Sequence, residues 1–186
     1  PATVTLGNVN QAVGTVDQQV EFVSSEERRK QRLLSVLDSG FAPPMIVFVN
    51  QIKTADVVGR DIRRAGWNVA ILHSGLSQPQ REAAIASVRD GRNDVLCCTD
   101  VGARGIDVPD VSLVVNYQFP TNFPSYIHRI GRTGRAGKTG TAISFVDEYD
   151  QDHFYELRQE LAKSPVSKVP QELARHPAAQ RRAAQD

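Results

Sequence analysis

The chain has 186 residues, a length that suits one domain of ordinary size. Its formal net charge is +1 and 40% of its residues are hydrophobic, so the composition is that of a globular protein without a large basic excess. No run approaches the ~20 consecutive apolar residues of a membrane helix, so we predict no membrane partner. Cys97 and Cys98 are the only cysteines and are adjacent, which excludes a disulfide framework and favours an intracellular location.

Short apolar runs rich in valine and isoleucine alternate with helical patterns along the chain. We predict a linker over 1–18, followed by an edge strand over 19–23 and a helix opened by a Ser24/Glu27 capping box. The sheet pattern continues with a strand over 45–49, a helix over 52–65, a strand over 69–72, a helix around 84–88 and strands over 95–98, 113–115 and 141–146. A last helix around 154–161 precedes a tail over 164–186. Continuous apolar strands alternating with helices predict a parallel α/β sheet with helices on both faces. Ligands of such sheets bind beyond the carboxyl ends of the strands.

A run that imitates a phosphate-binding loop lies near the end of the sheet pattern. Gly137, Lys138 and Thr139 resemble the end of such a loop, but its first glycine would stand at the position of Arg132. The run also precedes a predicted strand instead of opening a helix. We therefore expect that the chain does not hydrolyse ATP by itself.

One segment, residues 126–137, carries three arginines, two of which, Arg132 and Arg135, lie among glycines. Arg132 and Arg135 are three residues apart, so on a helical turn they would share one face. Paired guanidinium groups suit the charged oxygens of a phosphoryl group in transfer. The alternative is a solvated basic loop whose glycines form turns.

Two further loops follow predicted strands. In residues 99–110, Asp107 is suited to accept from a ribose hydroxyl and Thr99 to bind phosphate, or the loop is simply polar. In residues 72–82, Gln78 and Arg81 share one helix face near the helix start, where phosphate is favoured. The alternative there is a helix capped by Ser77 with a solvated face.

Together with "IVFVN" at 46–50, these loops resemble, in order and spacing, motifs IV, IVa, V and VI of the DEAD-box RNA helicases. The resemblance extends from about residue 20 to 162 and implies a RecA-like helicase C-terminal domain over 19–163. It implies that Arg132 and Arg135 are arginine fingers for the γ-phosphate of ATP bound on the N-terminal RecA-like domain, and that His128 helps to couple the two domains.

The same resemblance implies further ligand contacts. Gly105 and Asp107 would line the ATP, whose Mg²⁺ would be held mainly by the N-terminal domain. The sugar-phosphate backbone of RNA would be contacted by Asn50, Gly75, Gln78, Arg81 and Thr99.

Two strings, 40–51 and the tail 164–180, resemble the spliceosomal members of this family that act on small nuclear RNA at the 5′ splice site. That resemblance implies a nuclear location, a small nuclear RNA duplex as substrate and spliceosomal proteins as partners. Two alternatives stay open at this point. One is a RecA-like docking module for RNA or protein without catalysis, and the other is a helicase for DNA.

Overall fold

The computed structural model describes residues 14–135 and 138–183. At its centre lies one six-stranded sheet formed by β1 (Val16–Phe22), β2 (Met45–Phe48), β3 (Val69–Leu72), β4 (Val95–Cys98), β5 (Leu113–Asn116) and β6 (Gly140–Val146). The strands lie in the order β1-β6-β5-β2-β4-β3, and all neighbouring strands are parallel. This arrangement confirms the parallel α/β sheet predicted from the apolar runs.

The position of each strand in the sheet explains its sequence. β2, β4 and β5 lie between other strands and are buried along their whole length, which is why they lack polar alternation. β1 is an edge strand, as predicted, and it pairs with β6 from Val16 onwards. Residues 16–18, which we had assigned to the linker, therefore belong to the sheet. Residues 1–13 of that predicted linker lie outside the described part of the chain.

Helices cover both faces of the sheet. They are α1 (Glu26–Leu37), α2 (Ile52–Arg64), α3 (Gln78–Arg89), α4 (Phe123–Ile130), α5 (Phe154–Lys163) and α6 (Gln171–Arg175), with 3₁₀ turns at Glu148–His153 and Pro177–Ala179. One apolar layer joins α1 and α2 to alternate strand residues such as Met45 and Val47. The opposite layer joins α3, α4 and α5 to the intervening residues, Ile46 and Phe48 among them. None of the described helices is long and apolar enough to cross a membrane.

The helix starts follow local capping chemistry, with one correction. Ser25, and not Ser24, caps α1, and its hydroxyl accepts from the backbone N–H of Arg28, so the predicted Ser24/Glu27 box does not form. Ser77 caps α3, as the second interpretation of that loop predicted, and the structure adds a reciprocal bond from Gln80. Capping by Ser77 leaves Gln78 and Arg81 in the first turn of α3.

Helix α4 was not predicted. Its N-cap is Asn122, whose side chain accepts from the backbone N–H of Ser125 at 2.9 Å. Its buried face consists of Tyr126, Arg129 and Ile130, so a charged residue occupies a position where the helical pattern requires an apolar one. The pattern was therefore too weak to reveal this short helix.

The residues after α5 pack onto the domain. Leu173 and Ala179 are fully buried and belong to the same apolar layer as α5. The His176 ring lies 4.8 Å from the ring centre of Phe154, and its Nε2 atom lies 3.0 Å from Glu148. The predicted tail is therefore in contact with the core as far as residue 179.

Candidate nucleotide and RNA interface

Three of the predicted ligand loops meet at one edge of the sheet. Asn50 follows β2, Gly75 lies just after β3 and Thr99 follows β4. These strands are neighbours, and because they are parallel their carboxyl ends are adjacent. Loops from three strands are thus available to contact one ligand, as expected for an open α/β sheet.

The arginine loop, residues 131–139, does not follow a strand, because it joins α4 to the start of β6. Helix α4 ends at Ile130 with Gly131 as its cap, so Arg132 and Arg135 do not share a helical turn as predicted. Both lie instead on an irregular stretch in which Gly134 takes a φ of 69°. Both side chains nevertheless reach the same neighbour, the connection between β4 and β5 (residues 99–112), here called the β4–β5 connection.

Arg132 is half-buried against this connection. Its Nη1 donates to the carbonyl oxygen of Ile106 at 2.7 Å, and its Nη2 donates to that of Ala103 at 3.4 Å. Burial, and then the nearby positive charge of Arg135, lower the pKa of Arg132 from its usual value. An arginine nonetheless stays protonated in proteins, so the site holds a partly desolvated cation.

The other arginine-loop cations pair with acids of the same connection. Arg135 Nη1 lies 3.0 Å from Asp107 Oδ1, and the Lys138 ammonium contacts the carboxylate of Asp110. Both pairs are exposed, and such pairs contribute only about 0–1 kcal/mol each. Carboxylates of the same domain therefore neutralise the positive charge of the loop. Because these ion pairs are weak, another anion can replace the carboxylates.

Hydrogen bonds and close packing fix the position of the arginine loop. Thr133 is buried and its hydroxyl donates to the carbonyl oxygen of Val111. The Thr15 hydroxyl donates to the carbonyl oxygen of Gly134 at 3.0 Å. Gly140 lies against both loop residues, because a Cβ placed on it would come within 2.2 Å of Thr133 Oγ1 and 2.5 Å of Gly134 N. These contacts fix the base of the loop that carries Arg132 and Arg135.

Arg129 is a functional candidate to which the sequence assigned no role of its own. Its guanidinium is buried and pairs with Asp100, and it also donates to Asn50 Oδ1 at 2.6 Å and to the carbonyl oxygen of Gln118 at 2.8 Å. Its charge lies 5.1 Å from the ring centre of Phe48. One arginine thus joins the carboxyl ends of β2, β4 and β5. Its signal in the sequence is its place at the start of the basic run that continues through Arg132, Arg135 and Lys138.

The remaining nucleotide candidates are accessible. His128 is exposed and lines a small cavity of about 140 Å³ together with Asp100, Ala103 and Arg132. Gly105 and Asp107 are also exposed, and Gly105 takes a φ of 75°, which favours glycine. The structure therefore brings His128, Arg132, Arg135 and Asp107 to one surface.

Three of the predicted RNA contacts, Gly75, Gln78 and Arg81, are accessible to solvent. Gly75 and Gln78 are exposed. Arg81 is partly exposed, and its guanidinium donates to the carbonyl oxygens of Gly102 at 3.3 Å and Arg104 at 2.6 Å. Arg81 therefore joins the first turn of α3, where Gln78 also lies, to the β4–β5 connection.

Two of the predicted RNA contacts, Thr99 and Asn50, have side chains that also bond within the protein. Thr99 is buried, and its Oγ1 accepts from the backbone N–H of Gly102 at 3.2 Å. The Asn50 amide donates to the carbonyl oxygen of Phe119 at 2.9 Å and accepts from Arg129. Both side chains therefore help to shape these loops, and their contact with RNA stays a prediction.

The two cysteines do not supply a nucleophile. Both are free and buried within β4, and burial raises the pKa of the Cys97 thiol to about 12. Burial likewise raises the pKa of Cys98 well above its usual value. Across residues 14–135 and 138–183, the histidine, cysteine and acidic side chains form no cluster that could hold a metal ion.

A family model and several curated proteins match this chain. The model for the helicase conserved C-terminal domain matches residues 28–137. The pre-mRNA-splicing ATP-dependent RNA helicase PRP28 of Gibberella zeae is 59% identical over 181 residues, which make up 97% of this chain and 25% of that protein. The chain therefore spans about a quarter of the length of the curated relatives it matches.

Solved structures share the fold. The RNA helicase Prp28 from Chaetomium thermophilum, bound to ADP, is 48% identical with a TM-score of 0.79, over 86% of this chain and 40% of that one. The E. coli DEAD-box protein SrmB, solved with the regulator of ribonuclease activity A, is 35% identical with a TM-score of 0.75, over 92% of this chain and 98% of that one. These matches confirm the RecA-like fold inferred from the motifs. The chain belongs to the DEAD-box helicases, of which it forms the conserved C-terminal domain.

Proposed function

We propose that this chain is the C-terminal half of an ATP-dependent RNA helicase, in which Arg132 and Arg135 complete a nucleotide site on another domain. The observation that carries the proposal is the convergence of both arginines on the β4–β5 connection, where Arg135 lies 3.0 Å from Asp107. The sequence lacks a phosphate-binding loop of its own, which agrees with a site shared between two domains.

The contacts of the two arginines suit a role as fingers. The exposed Arg135–Asp107 pair contributes little, so a phosphate group can replace the carboxylate without a large loss. Arg132 is already partly desolvated, which strengthens its attraction to an approaching anion. Guanidinium groups placed against the equatorial oxygens of a transferring phosphoryl group offset the charge that develops there.

The residues around the arginines fit ATP. Asp107 is exposed and offers a carboxylate to a ribose hydroxyl, while the exposed backbone of Gly105 allows close approach of the phosphates. His128 lies beside the same cavity as Arg132 and is proposed to couple the domains. Asp100, Asp107 and Asp110 pair with cations of this domain, so we assign Mg²⁺ mainly to the N-terminal RecA-like domain.

The patch of Gly75, Gln78 and Arg81 is the proposed RNA surface. Amide and guanidinium donors beside an accessible glycine backbone suit the sugar-phosphate backbone of a single strand. Such contacts position an RNA without reading its bases. Asn50 and Thr99 contribute by holding the adjoining loops, as their side-chain hydrogen bonds indicate.

The splicing role rests on the relatives. Several that match nearly the whole chain are named pre-mRNA-splicing ATP-dependent RNA helicases. By analogy we propose a nuclear protein that acts on a small nuclear RNA duplex at the 5′ splice site, with spliceosomal proteins and its own N-terminal RecA-like domain as partners.

The proposal is tested by Arg132→Ala and Arg135→Ala in a helicase that contains both domains. RNA-stimulated ATP turnover should fall by a large factor, up to the ~10³ or more typical of arginine fingers. Arg92→Ala is the matched control, because Arg92 is an exposed arginine whose guanidinium pairs with Asp90, its neighbour two residues away. Near-normal turnover in both finger variants would overturn the assignment, and loss of partner capture alone would favour a docking module.

A further inference from the structure

His73 is a buried polar residue at the point where β3 enters the proposed RNA loop. It is 7% exposed. Its Nδ1 atom accepts from the backbone N–H of Gly75 at 3.0 Å, and its Nε2 atom lies 3.1 Å from Asp56 Oδ1 on α2. No feature of the resemblance assigned a role to this histidine.

The two contacts determine which nitrogen carries the proton. Nδ1 accepts a hydrogen bond from Gly75, so it must be unprotonated. The ring proton therefore resides on Nε2, from which it is donated to the carboxylate of Asp56. Asp56 thus selects the tautomer in which Nδ1 is available to the loop.

The ring also supports the loop sterically. A Cβ placed on Gly75 would lie 3.0 Å from both Nδ1 and Cε1 of His73, so the imidazole is packed against that backbone. The backbone N–H of Leu76 donates to the His73 carbonyl oxygen at 3.2 Å. The side chain and the backbone of His73 therefore both contact the loop between β3 and α3.

His73 further connects this loop to the β4–β5 connection. A Cβ on Gly102 would lie 2.6 Å from His73 Cα and 2.7 Å from the carbonyl oxygen of Leu72, so the two backbones are in close contact. Arg81 bonds to the same stretch through the carbonyl oxygen of Gly102. A displacement of His73 would thus move Gly75 relative to Arg81.

We propose that His73, as the neutral Nε2–H tautomer fixed by Asp56, is a positioning residue that sets the backbone of Gly75 for RNA binding. The inference rests on the proposed function of the patch formed by Gly75, Gln78 and Arg81. It adds a specific requirement, namely a hydrogen-bond acceptor at the position of Nδ1.

Two isosteric substitutions separate that requirement from a general structural role. In His73→Asn the side-chain oxygen takes the place of Nδ1 and accepts from the N–H two residues on, as in an Asx turn. In His73→Gln the amide reaches the place of Nε2 and retains a donor to Asp56, but it leaves Gly75 without an acceptor. Both side chains are polar amides. They differ in which contact they keep, since Asn retains the acceptor for Gly75 without the donor to Asp56, and Gln retains the donor to Asp56 without the acceptor for Gly75.

The measurement is the RNA dependence of ATP turnover in a helicase that contains both domains. The KM for RNA should stay near that of the parent in His73→Asn and rise in His73→Gln by roughly 2- to 10-fold, the ratio that corresponds to one hydrogen bond. The value of kcat at saturating RNA and the KM for ATP should change little in either variant. Equal KM values for RNA in the two variants would overturn the proposal.

A second measurement does not depend on the stability of any variant. The ¹⁵N chemical shifts of the His73 ring in the parent chain should show Nδ1 as the unprotonated nitrogen and Nε2 as the protonated one. The opposite tautomer would overturn the proposal.

Gln78→Ala and Arg81→Ala separate the inference from the function on which it rests. If both raise the KM for RNA while the two His73 variants behave alike, only the role of His73 is wrong. If neither variant changes the KM for RNA, the proposed RNA surface itself is wrong, and the role of His73 falls with it.

Discussion

Arg129 donates to both carboxylate oxygens of Asp100, from Nε to Oδ1 at 2.8 Å and from Nη2 to Oδ2 at 2.7 Å. The arginine side chain is 1% exposed, whereas the aspartate side chain is 41% exposed. The same guanidinium reaches Asn50 and Gln118, so it joins the loop near the proposed RNA surface to the loop that faces the arginine fingers. The carboxylate of Asp100 is the only acid in this set of contacts and supplies the counter-charge.

Removing that counter-charge should destabilise the domain. Asp100→Asn keeps the shape of the side chain but leaves the buried guanidinium with neutral acceptors. Breaking a fully buried pair costs about 3–5 kcal/mol, and the exposure of Asp100 reduces this, so we expect a loss of about 1–3 kcal/mol. The loss is measured as the change in free energy of unfolding in urea.

Asp90→Asn is the control for this prediction. Asp90 pairs with Arg92 on the surface, and both side chains of that pair are well exposed. Its replacement should leave the unfolding free energy nearly unchanged. A similar effect of the two substitutions would show that Arg129 does not need a charged partner.

Gly140→Ala should displace the base of the arginine loop. The added methyl group would lie 2.2 Å from Thr133 Oγ1 and 2.5 Å from Gly134 N, so the loop must move. Overpacking of this kind costs about 1–3 kcal/mol. We expect lower stability in urea and a lower ATP turnover of the two-domain protein, because Arg132 and Arg135 move with the loop. Gly14→Ala, which has nothing within 4 Å, should preserve both quantities, and unchanged turnover in Gly140→Ala would argue against the proposed fingers.

Leu173→Ala tests whether the tail is part of the folded unit. Leu173 is fully buried in the layer that contains α5, so its truncation should cost about 2–5 kcal/mol of unfolding free energy. Val166, in the same tail, is 47% exposed, and Val166→Ala should cost no more than about 0.5 kcal/mol. Equal stability of the two variants would mean that the tail does not contribute to the core in solution.

Much of the architecture follows from local patterns. The uninterrupted apolar runs of β2, β4 and β5 indicated strands buried on both faces, because a central strand of a parallel sheet has no solvent side. Ser77 indicated the start of α3, because an N-cap bonds only to neighbouring residues of the chain. The order of the motifs was enough to indicate the family, since motif spacing is a property of the chain itself.

The partners of the charged groups were decided only by the tertiary structure. Arg135 and Asp107 are 28 residues apart in sequence, and Arg129 and Asn50 are 79 apart. Such pairs meet because parallel strands bring distant loops to one edge of the sheet. The periodicity of apolar residues predicts which positions are buried, but it does not predict which polar groups will be in contact. The sequence by itself therefore determined the parallel sheet, the family of the chain and the choice of Arg132 and Arg135 as candidate residues. The fold decided that Arg129 would be a buried link, that Asn50 and Thr99 would be occupied, and that His73 would hold the loop at Gly75.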